Sequence, residues 1–419
     1  MKNIRQILNE ALNDIKPDKE YEREIFKRLN LIIKKINGGR KDFHAILGGS
    51  GAKGTWLKAF DADIFVLFYY NRYKDKSSEL SNILEKCLKE KFGKIIRIHG
   101  SRDYFQIKEG SFTFEIVPIL KIKNSSQAKN ITDVSPLHSE WVRKHRKLAD
   151  EMKLTKQFCQ ANNLYGAESY IRGFSGYVCE ILAAYYGSFL SLMKSAAKWK
   201  ELEVIDVQKY YRGKDVFKMV NTSKLLSPLI VIDPVQKDRN ASAALSAEKF
   251  EAFRNAAKEF LKNPSREFFV KKPMSAEFLD EMPKNSKLII AEAKPLKGKI
   301  DIVGSKLLKI YEFLTAGLEK NGFKTIKTGW EWNKKGNAFF YFLLDKKPLP
   351  KNTEIEGPPL KFKEHAENFK KIHKKTFVKS GKIFAIKARK FTTPESLINS
   401  LIINQFITEK SNSIKTEVL

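Results

Sequence analysis

Apolar residues recur at helical spacing from the start of the chain: Ile4, Ile7, Leu8, Leu12 and Ile15 fall on one face, so residues 3 to 15 predict an amphipathic helix and 18 to 36 a second. After Gly38 and Gly39 the pattern shortens. Phe43 to Leu47 predicts a strand, Ser50 to Leu57 a turn entering a helix, and Asp61 to Tyr69 (DADIFVLFY) a buried strand. A polar helix over 78 to 92 and strands over 95 to 99, 103 to 108 and 112 to 120 complete an α/β segment.

From Pro136 to about Asn263 the apolar spacing is helical, most clearly over Met152 to Cys159 and over Tyr177 to Leu192, where Leu182, Tyr185, Tyr186, Phe189 and Leu190 recur at helical intervals. A strand (288 to 294), a helix (306 to 318) and two strands (323 to 327, 339 to 344) follow. That βαββ order suits a small split α/β sheet such as an RNA-recognition-motif-like module. Pro348, Pro350, Pro358 and Pro359 mark a linker, after which residues 362 to 375 predict a strongly basic helix and 382 to 389 an alternating strand.

With 419 residues the chain exceeds a single core and divides into several domains. Its 42% hydrophobic and 30% charged residues exclude a disordered chain. No run approaches the roughly 18 apolar residues of a membrane span, and the N-terminus alternates charge with apolar residues instead of forming a signal-peptide core. A cytoplasmic protein without a membrane partner is the expectation. Cys87, Cys159 and Cys179 are odd in number and widely spaced, which suggests reduced core thiols and neither a disulfide framework nor a zinc site. The 78 Lys and Arg against 48 Asp and Glu give a net charge of +30, which concentrates polyanions near the surface. Nucleic acid is therefore the leading partner class, although a lysine-rich composition alone produces the same charge.

The stretch Gly48-Gly-Ser-Gly-Ala-Lys-Gly-Thr-Trp-Leu-Lys-Ala-Phe-Asp61-Ala-Asp63 carries the chemistry. In a strand Asp61 and Asp63 project to one side, on the order of 6.5 Å apart along the backbone. Like charges so placed repel, and a divalent cation, Mg2+, removes that cost while recruiting triphosphate oxygens. Upstream, Gly48, Gly49 and Gly51 let the backbone approach a ligand, with Ser50 and Lys53 beside it. A glycine-rich turn or an Asp-x-Asp alone is more often a tight turn or a solvated edge; their conjunction points to a nucleotide. Glu115, isolated in the apolar run Phe112 to Leu120, is either a salt-bridged core glutamate or a third metal ligand, and three acids on neighbouring strands hold two ions about 3.5 to 4 Å apart.

This arrangement resembles the polymerase-beta-like nucleotidyltransferases, and specifically the archaeal, class I CCA-adding enzymes. Ser135-Pro-Leu-His138, Ala161 to Glu168, Arg172-Gly-Phe-Ser-Gly-Tyr177, Tyr186 to Phe189, Ile232-Asp-Pro-Val235 with Arg239-Asn240, and Lys387 to Glu395 follow that family's segments in order. The resemblance implies an α+β multidomain protein: a catalytic head over 1 to 135, a helical neck over 136 to 265, an RNA-recognition-motif-like body over 266 to 350 and a basic, tRNA-binding tail over 351 to 419. It implies that Asp61, Asp63 and Glu115 bind metal and act in catalysis, and that Gly49, Ser50, Lys53, His138, Lys156, Tyr165 and Arg239 contact the nucleotide, Arg239 reading the base. It implies addition of C, C and A from CTP and ATP to the 3′ end of tRNA, with the acceptor stem on a basic face, and suggests a homodimer. Lys370, Lys371, Lys374, Lys375, Lys387, Arg389 and Lys390 are then phosphate contacts. The acids run Asp61, Asp63, Glu115 where the family shows Glu-x-Asp and a later Asp. Lys53 stands where Arg is usual, and the loop from Thr55 to Asp61 is one residue short. A poly(A) or oligoadenylate polymerase of the same superfamily, and a basic RNA-binding protein without catalysis, are the rival readings.

Overall fold

The computed structural model describes residues 4–39, 41–58, 62–110, 112–220, 225–280 and 282–419. Both N-terminal helices form, α1 (Ile4–Ile15) and α2 (Lys19–Asn37), the second capped by the Asp18 carboxylate accepting from the Glu20 N–H. They serve different cores. Ala11 and Ile15 of α1 pack with residues 141 to 269, whereas Ile25, Leu29, Ile32 and Ile36 of α2 cover a sheet.

That sheet is built from β1 (Phe43–Leu47), β2 (Ala62–Tyr69), β3 (Ile96–Ile98), β4 (Tyr104–Glu109) and β5 (Phe112–Lys121), in the order β1-β2-β5-β4-β3. The helices α3 (Gly49–Lys53), α4 (Tyr70–Tyr73) and α5 (Leu80–Phe92) lie in its connections. β2 and β5 run parallel and the other pairs antiparallel. Alternation divides the faces: Ile64, Val66, Phe68, Phe114, Ile116 and Leu120 meet α2 and α5, while Phe65, Leu67 and Ile119 form a separate cluster on the side that also carries Asp63 and Glu115.

Next come α6 (Ser135–Lys144), α7 (Ala149–Ala161), α8 (Gly176–Tyr186) and α9 (Phe189–Ala196). The single helix expected over 177 to 192 is two. Gly187 adopts φ 75°, which ends α8 in the left-handed conformation, and the Ser188 side chain caps α9. The helical segment also holds a small sheet that the helical spacing did not foretell: β6 (Glu203–Ile205), then, after α10 (Val216–Met219), β7 (Leu229–Asp233) and β8 (Gln236–Asn240). β7 is buried throughout because its two faces enter different cores, Leu229 and Val231 one, Ile230 and Ile232 the other. Helix α11 (Ala247–Lys262) closes the larger core, where Phe158 meets the rings of Phe189, Phe253, Phe260, Phe268 and Phe269. All three cysteines are buried and free.

Contacts divide the chain into Met1–Lys271 and Lys272–Leu419. In the second unit α12 (Met274–Asp280) precedes β9 (Ser286–Pro295), α13 (Ile300–Lys320), β10 (Thr325–Glu331) and β11 (Ala338–Asp345), the expected βαββ order. Then β12 (Asn352–Pro359), α14 (Lys363–Ile372), β13 (Thr376–Lys379) and β14 (Lys382–Ala388) make a three-stranded sheet of their own, β12-β14-β13. The stretch read as linker is thus partly a strand, since β12 lies on an edge, where proline removes no ladder hydrogen bond. Helices α15 (Pro394–Ile402) and α16 (Gln405–Thr408) lead into β15 (Ser411–Val418), which returns to pair with β9, giving a four-stranded antiparallel sheet β10-β11-β9-β15. Residues of α13 and α15 fill one face of it, and Phe278 of α12 packs on Leu288, Tyr341 and Leu343 of the other. Among the described residues no helix is long and apolar enough to cross a membrane.

Candidate functional site

Asp63 and Glu115 face each other across β2 and β5 as register partners of a parallel pair. Partners in a parallel ladder project to the same side, so two carboxylates share one patch of one face. Gln106 of β4, the register partner of Glu115 on its other side, donates from Nε2 to Glu115 Oε1 at 2.8 Å and fixes that carboxylate. Asp63 lies against Gly49 so closely that a Cβ on Gly49 would fall 1.7 Å from Asp63 Oδ2, and Gly49 has φ 49°. Glycine is required there on both counts. Asp61 lies outside the described residues, and among those described no three His, Cys, Asp or Glu side chains gather as a metal cluster.

A cavity of about 310 Å³ opens over this pair, lined by Ser50, Lys53, Thr55, Trp56, Leu57, Asp63, Glu115, Lys156, Gln160, Tyr165, Gly176 and Tyr177. It brings together, of the residues expected from the sequence, Ser50, Lys53, Lys156 and Tyr165 with two of the three acids. The turn that carries Tyr165 is set by backbone: the Gly173 N–H donates to the Gly166 carbonyl at 2.7 Å and the Phe174 N–H to the Leu164 carbonyl at 2.7 Å, with Gly173 too close to Leu164 to carry a side chain. Gly176 opens α8 in the same way, since a Cβ there would meet the Tyr165 hydroxyl at 2.6 Å.

Two buried carboxylates organise the walls. Glu180 of α8 accepts from Lys156 Nζ at 2.6 Å and Thr55 Oγ1 at 2.5 Å on one oxygen, and from Lys53 Nζ at 2.9 Å on the other. Burial alone would raise its pKa, but Lys156 and Lys53 prevail and hold it at about 2. Asp233, at the end of β7, accepts from Arg239 Nη1 at 2.6 Å, from the Tyr177 hydroxyl at 3.2 Å and from the Val235 N–H at 2.9 Å, with His138 Nε2 3.2 Å away. Burial opposes its ionisation, and the hydrogen bond and charge of His138 with the Val235 N–H keep its pKa low. The His138 ring stacks on Tyr177 at 4.0 Å, and burial lowers its pKa against the pull of Asp233. His138 and Arg239 thus belong to the Asp233 cluster, joined to the cavity through Tyr177, over whose ring Lys53 Nζ sits at 5.3 Å.

The sequence reading passed over Glu180, Asp233, Thr55 and Gln106 as site residues. The signal for the first two was available: Glu180 is the sole charge in Val178-Cys-Glu-Ile-Leu-Ala-Ala, and Asp233 ends Leu-Ile-Val-Ile-Asp, each an isolated acid in an apolar run like Glu115.

Three family models match in order: a nucleotidyltransferase domain over residues 26–138, the second domain of tRNA nucleotidyltransferases over 150–270, and the C-terminal domain of CCA-adding enzymes over 295–416. The CCA-adding enzyme of Nanoarchaeum equitans is 34% identical over 379 residues, covering 90% of this chain and 92% of that protein. The chain belongs to the CCA-adding enzymes. The family member of Methanocaldococcus jannaschii is 31% identical over 411 residues, covering 95% of this chain and 91% of its own. Among solved structures, the Cid1 poly(U) polymerase with Mg and 3′-dATP bound matches with a TM-score of 0.51 at 14% identity, over 64% of this chain and 98% of that one. A cytoplasmic RNA terminal U-transferase matches at 0.50 and 15%, over 64% and 99%. At such identity these two share the fold alone. As a CCA-adding enzyme the chain is a tRNA nucleotidyltransferase of mixed α and β architecture, with Asp63 and Glu115 inside the matched nucleotidyltransferase domain and Lys156, Tyr165, Tyr177, Glu180, Asp233 and Arg239 inside the matched second domain.

Proposed function

We propose that the cavity over Asp63 and Glu115 is where this enzyme joins CTP and ATP to the 3′ end of tRNA, adding C, C and A with release of pyrophosphate. The observation that carries the reading is the register of Asp63 against Glu115 beneath a wall bearing Lys53 and Lys156. Two carboxylates on one face, with Gly49 stripped of a side chain to admit one of them, form an all-oxygen donor set that suits a hard divalent cation. Asp63 and Glu115, with Asp61 as the third acid that the sequence offers, would hold Mg2+. When bound, the cation would favour ionisation of the tRNA 3′-hydroxyl and offset charge on the leaving pyrophosphate.

The chain's own residues do the rest. Gln106 aims Glu115. Lys53 and Lys156, with the Ser50 hydroxyl and the Gly49 backbone, meet the triphosphate, so charge that develops on the leaving group is met by cations already in place. The 3′-oxygen attacks the α-phosphorus, the bond to the β-phosphate oxygen breaks, and the hydroxyl proton passes to a carboxylate of the pair or to water. Tyr165 packs at the edge of the nucleotide. His138 and Arg239, both bound to Asp233, are the base-facing cluster, with Arg239 as the reader of C or A.

We keep four functional regions: head 1 to 135, neck 136 to 265, body 266 to 350 and tail 351 to 419. The strand order β10-β11-β9-β15 supports an RNA-recognition-motif-like body whose sheet the tail completes. The exposed Lys370, Lys371, Lys374, Lys375, Lys387 and Lys390 suit backbone contacts to tRNA, recognised by shape. Arg389 is instead engaged with the Asn321 carbonyl at the end of α13, at 2.9 Å. The family resemblance suggests a homodimer, and the hydropathy pattern a cytoplasmic one. Incubation with tRNA lacking CCA, Mg2+, CTP and ATP tests the reading: a product longer by C, C and A supports it, tails of ATP alone or growth past three nucleotides move the enzyme to the poly(A) type, and no extension ends it.

A further inference from the structure

We propose that Glu180 is a positioning residue for the triphosphate subsite, setting Lys53 and Lys156 at the cavity wall before the nucleotide arrives; the inference rests on reading that cavity as the nucleotide site. The three side chains that donate to Glu180 come from two separate parts of the unit: Lys53 at the end of α3 with Thr55 just beyond it, and Lys156 on α7. Lys156 also donates to the Thr55 hydroxyl at 2.8 Å and to its carbonyl at 3.2 Å. One carboxylate therefore ties the glycine-rich loop to two helices, and both lysines it holds line the cavity. Glu180 is itself fully buried, and a buried carboxylate persists only where donors satisfy it, so the lysines and the acid fix one another.

The arrangement solves a problem the nucleotide site creates. Two ammonium groups aimed at one phosphate chain repel each other while the site is empty, and Lys156 is deeply buried. The groups facing Lys156 are Lys53 and Thr55 from the loop, Glu180 and Cys179 from α8, and Tyr165 from the turn after α7. Burial and Lys53 both press it toward the neutral amine, and Glu180 is the main group that opposes them. Without the carboxylate, Lys156 gives up its proton at lower pH and Lys53 loses its anchor, so cations that the wild type has in place must be charged and oriented during binding.

The test uses the full-length protein and inorganic tripolyphosphate as probe, measured by calorimetry, together with ATP KM and kcat on tRNA. Glu180→Gln is expected to weaken tripolyphosphate binding and raise the ATP KM by about ten-fold, with kcat falling by less, the size of a charged hydrogen bond. Tripolyphosphate affinity of the variant should recover as pH is lowered, where the wild type stays flat. Against Lys156→Met, adding Glu180→Gln should cost less than it does in the wild type, the remaining loss coming through Lys53, and abolish the pH recovery, because the charge that responds is gone. Should Glu180→Gln alone not fold, as read by circular dichroism, this charge-balanced pair of variants carries the test. Wild-type affinity in Glu180→Gln, a loss equal at every pH, or additive losses in the double variant would overturn the inference. Tripolyphosphate binding without tRNA extension would defeat the functional reading alone, whereas extension without any tripolyphosphate binding would defeat this one.

Discussion

The two units keep their charge in different places. In residues 1–271 charged side chains are withdrawn from solvent, Arg102, Asp133, Lys156, Glu180 and Asp233, whereas in 272–419 the buried polar residues among those described are two serines, Ser286 and Ser411. Arg102 and Asp133 form a structural pair: the Asp133 carboxylate also accepts the N–H groups of Leu120, Lys129 and Asn130 and so ties down the end of β5. Lys156, Glu180 and Asp233 line or back the cavity. Ions held in a low-dielectric interior act strongly at short range and in one orientation, which suits stabilising a reaction. Lysines standing in water act weakly and additively over a wide area, which suits holding a long polyanion. The contrast supports the proposal that chemistry lies in the first unit and adhesion in the second.

The largest effect that would sharpen this contrast is at the centre of the first unit. Asp63→Ala should lower nucleotide incorporation by about a thousand-fold or more, as loss of a metal-holding carboxylate does, while the melting temperature moves little because Asp63 is only half-buried. A variant that retains full incorporation would leave the protein an RNA binder and erase the division of labour. Next is acid stability. Glu180 titrates near 2 in the fold against an ordinary carboxyl near 4.5, and Asp233 is likewise depressed, so both stabilise the native state above their ordinary range and lose that contribution as pH falls through the folded values. Between about pH 4.5 and 2 the first unit should lose on the order of 2 kcal/mol, a factor of about thirty in its folded-to-unfolded ratio. Pulse-labelling hydrogen exchange should show peptides of 1–271 opening before those of 272–419; simultaneous opening would break the comparison.

How much of this was legible in the sequence follows the range over which each feature is determined. The period of two placed Asp63 on one face of its strand and flagged Glu115 as an acid in an apolar run, both local properties. That the two strands are neighbours, parallel and in register at those positions is a long-range fact that no local pattern holds. Glu180 and Asp233 escaped for the same reason: Lys53 and Thr55 are 127 and 125 residues from Glu180, and His138 is 95 from Asp233. Their isolation in apolar runs was visible, their partners were not. Gly187 is a lone glycine in a helical pattern and was overridden by the recurring aromatics around it, yet its left-handed backbone ends the helix. In β12 the prolines outweighed an alternation of exposed and half-buried positions, because edge placement, which excuses a proline, is also a property of the whole sheet.

A smaller effect tests the second unit's side of the contrast. Replacing Lys370, Lys371, Lys374 and Lys375 together by Ala should raise the tRNA KM by about ten-fold and flatten its salt dependence by roughly three units in the logarithmic slope. Tripolyphosphate binding should stay at the wild-type value. A changed tripolyphosphate affinity would show that these exposed lysines reach the chemistry; an unchanged salt slope would show that tRNA lies elsewhere.

The smallest effect is that of Lys53→Arg. An ammonium on a flexible stem reaches Glu180 Oε2 at 2.9 Å and lies over the Tyr177 ring, a geometry that a point charge satisfies from one direction. Arginine would bring a planar fork able to bond carboxylate and phosphate at once, but it is wider, and the side chain is already mostly enclosed. Charge is conserved, so Lys53→Arg should shift the ATP KM by no more than about three-fold, while Lys53→Ala, which leaves part of the buried Glu180 carboxylate unanswered, should raise it by about ten-fold or more. If the arginine variant fails as badly as the alanine one, the first unit depends on the shape of its cations as well as their burial, and the contrast with the interchangeable surface lysines becomes sharper.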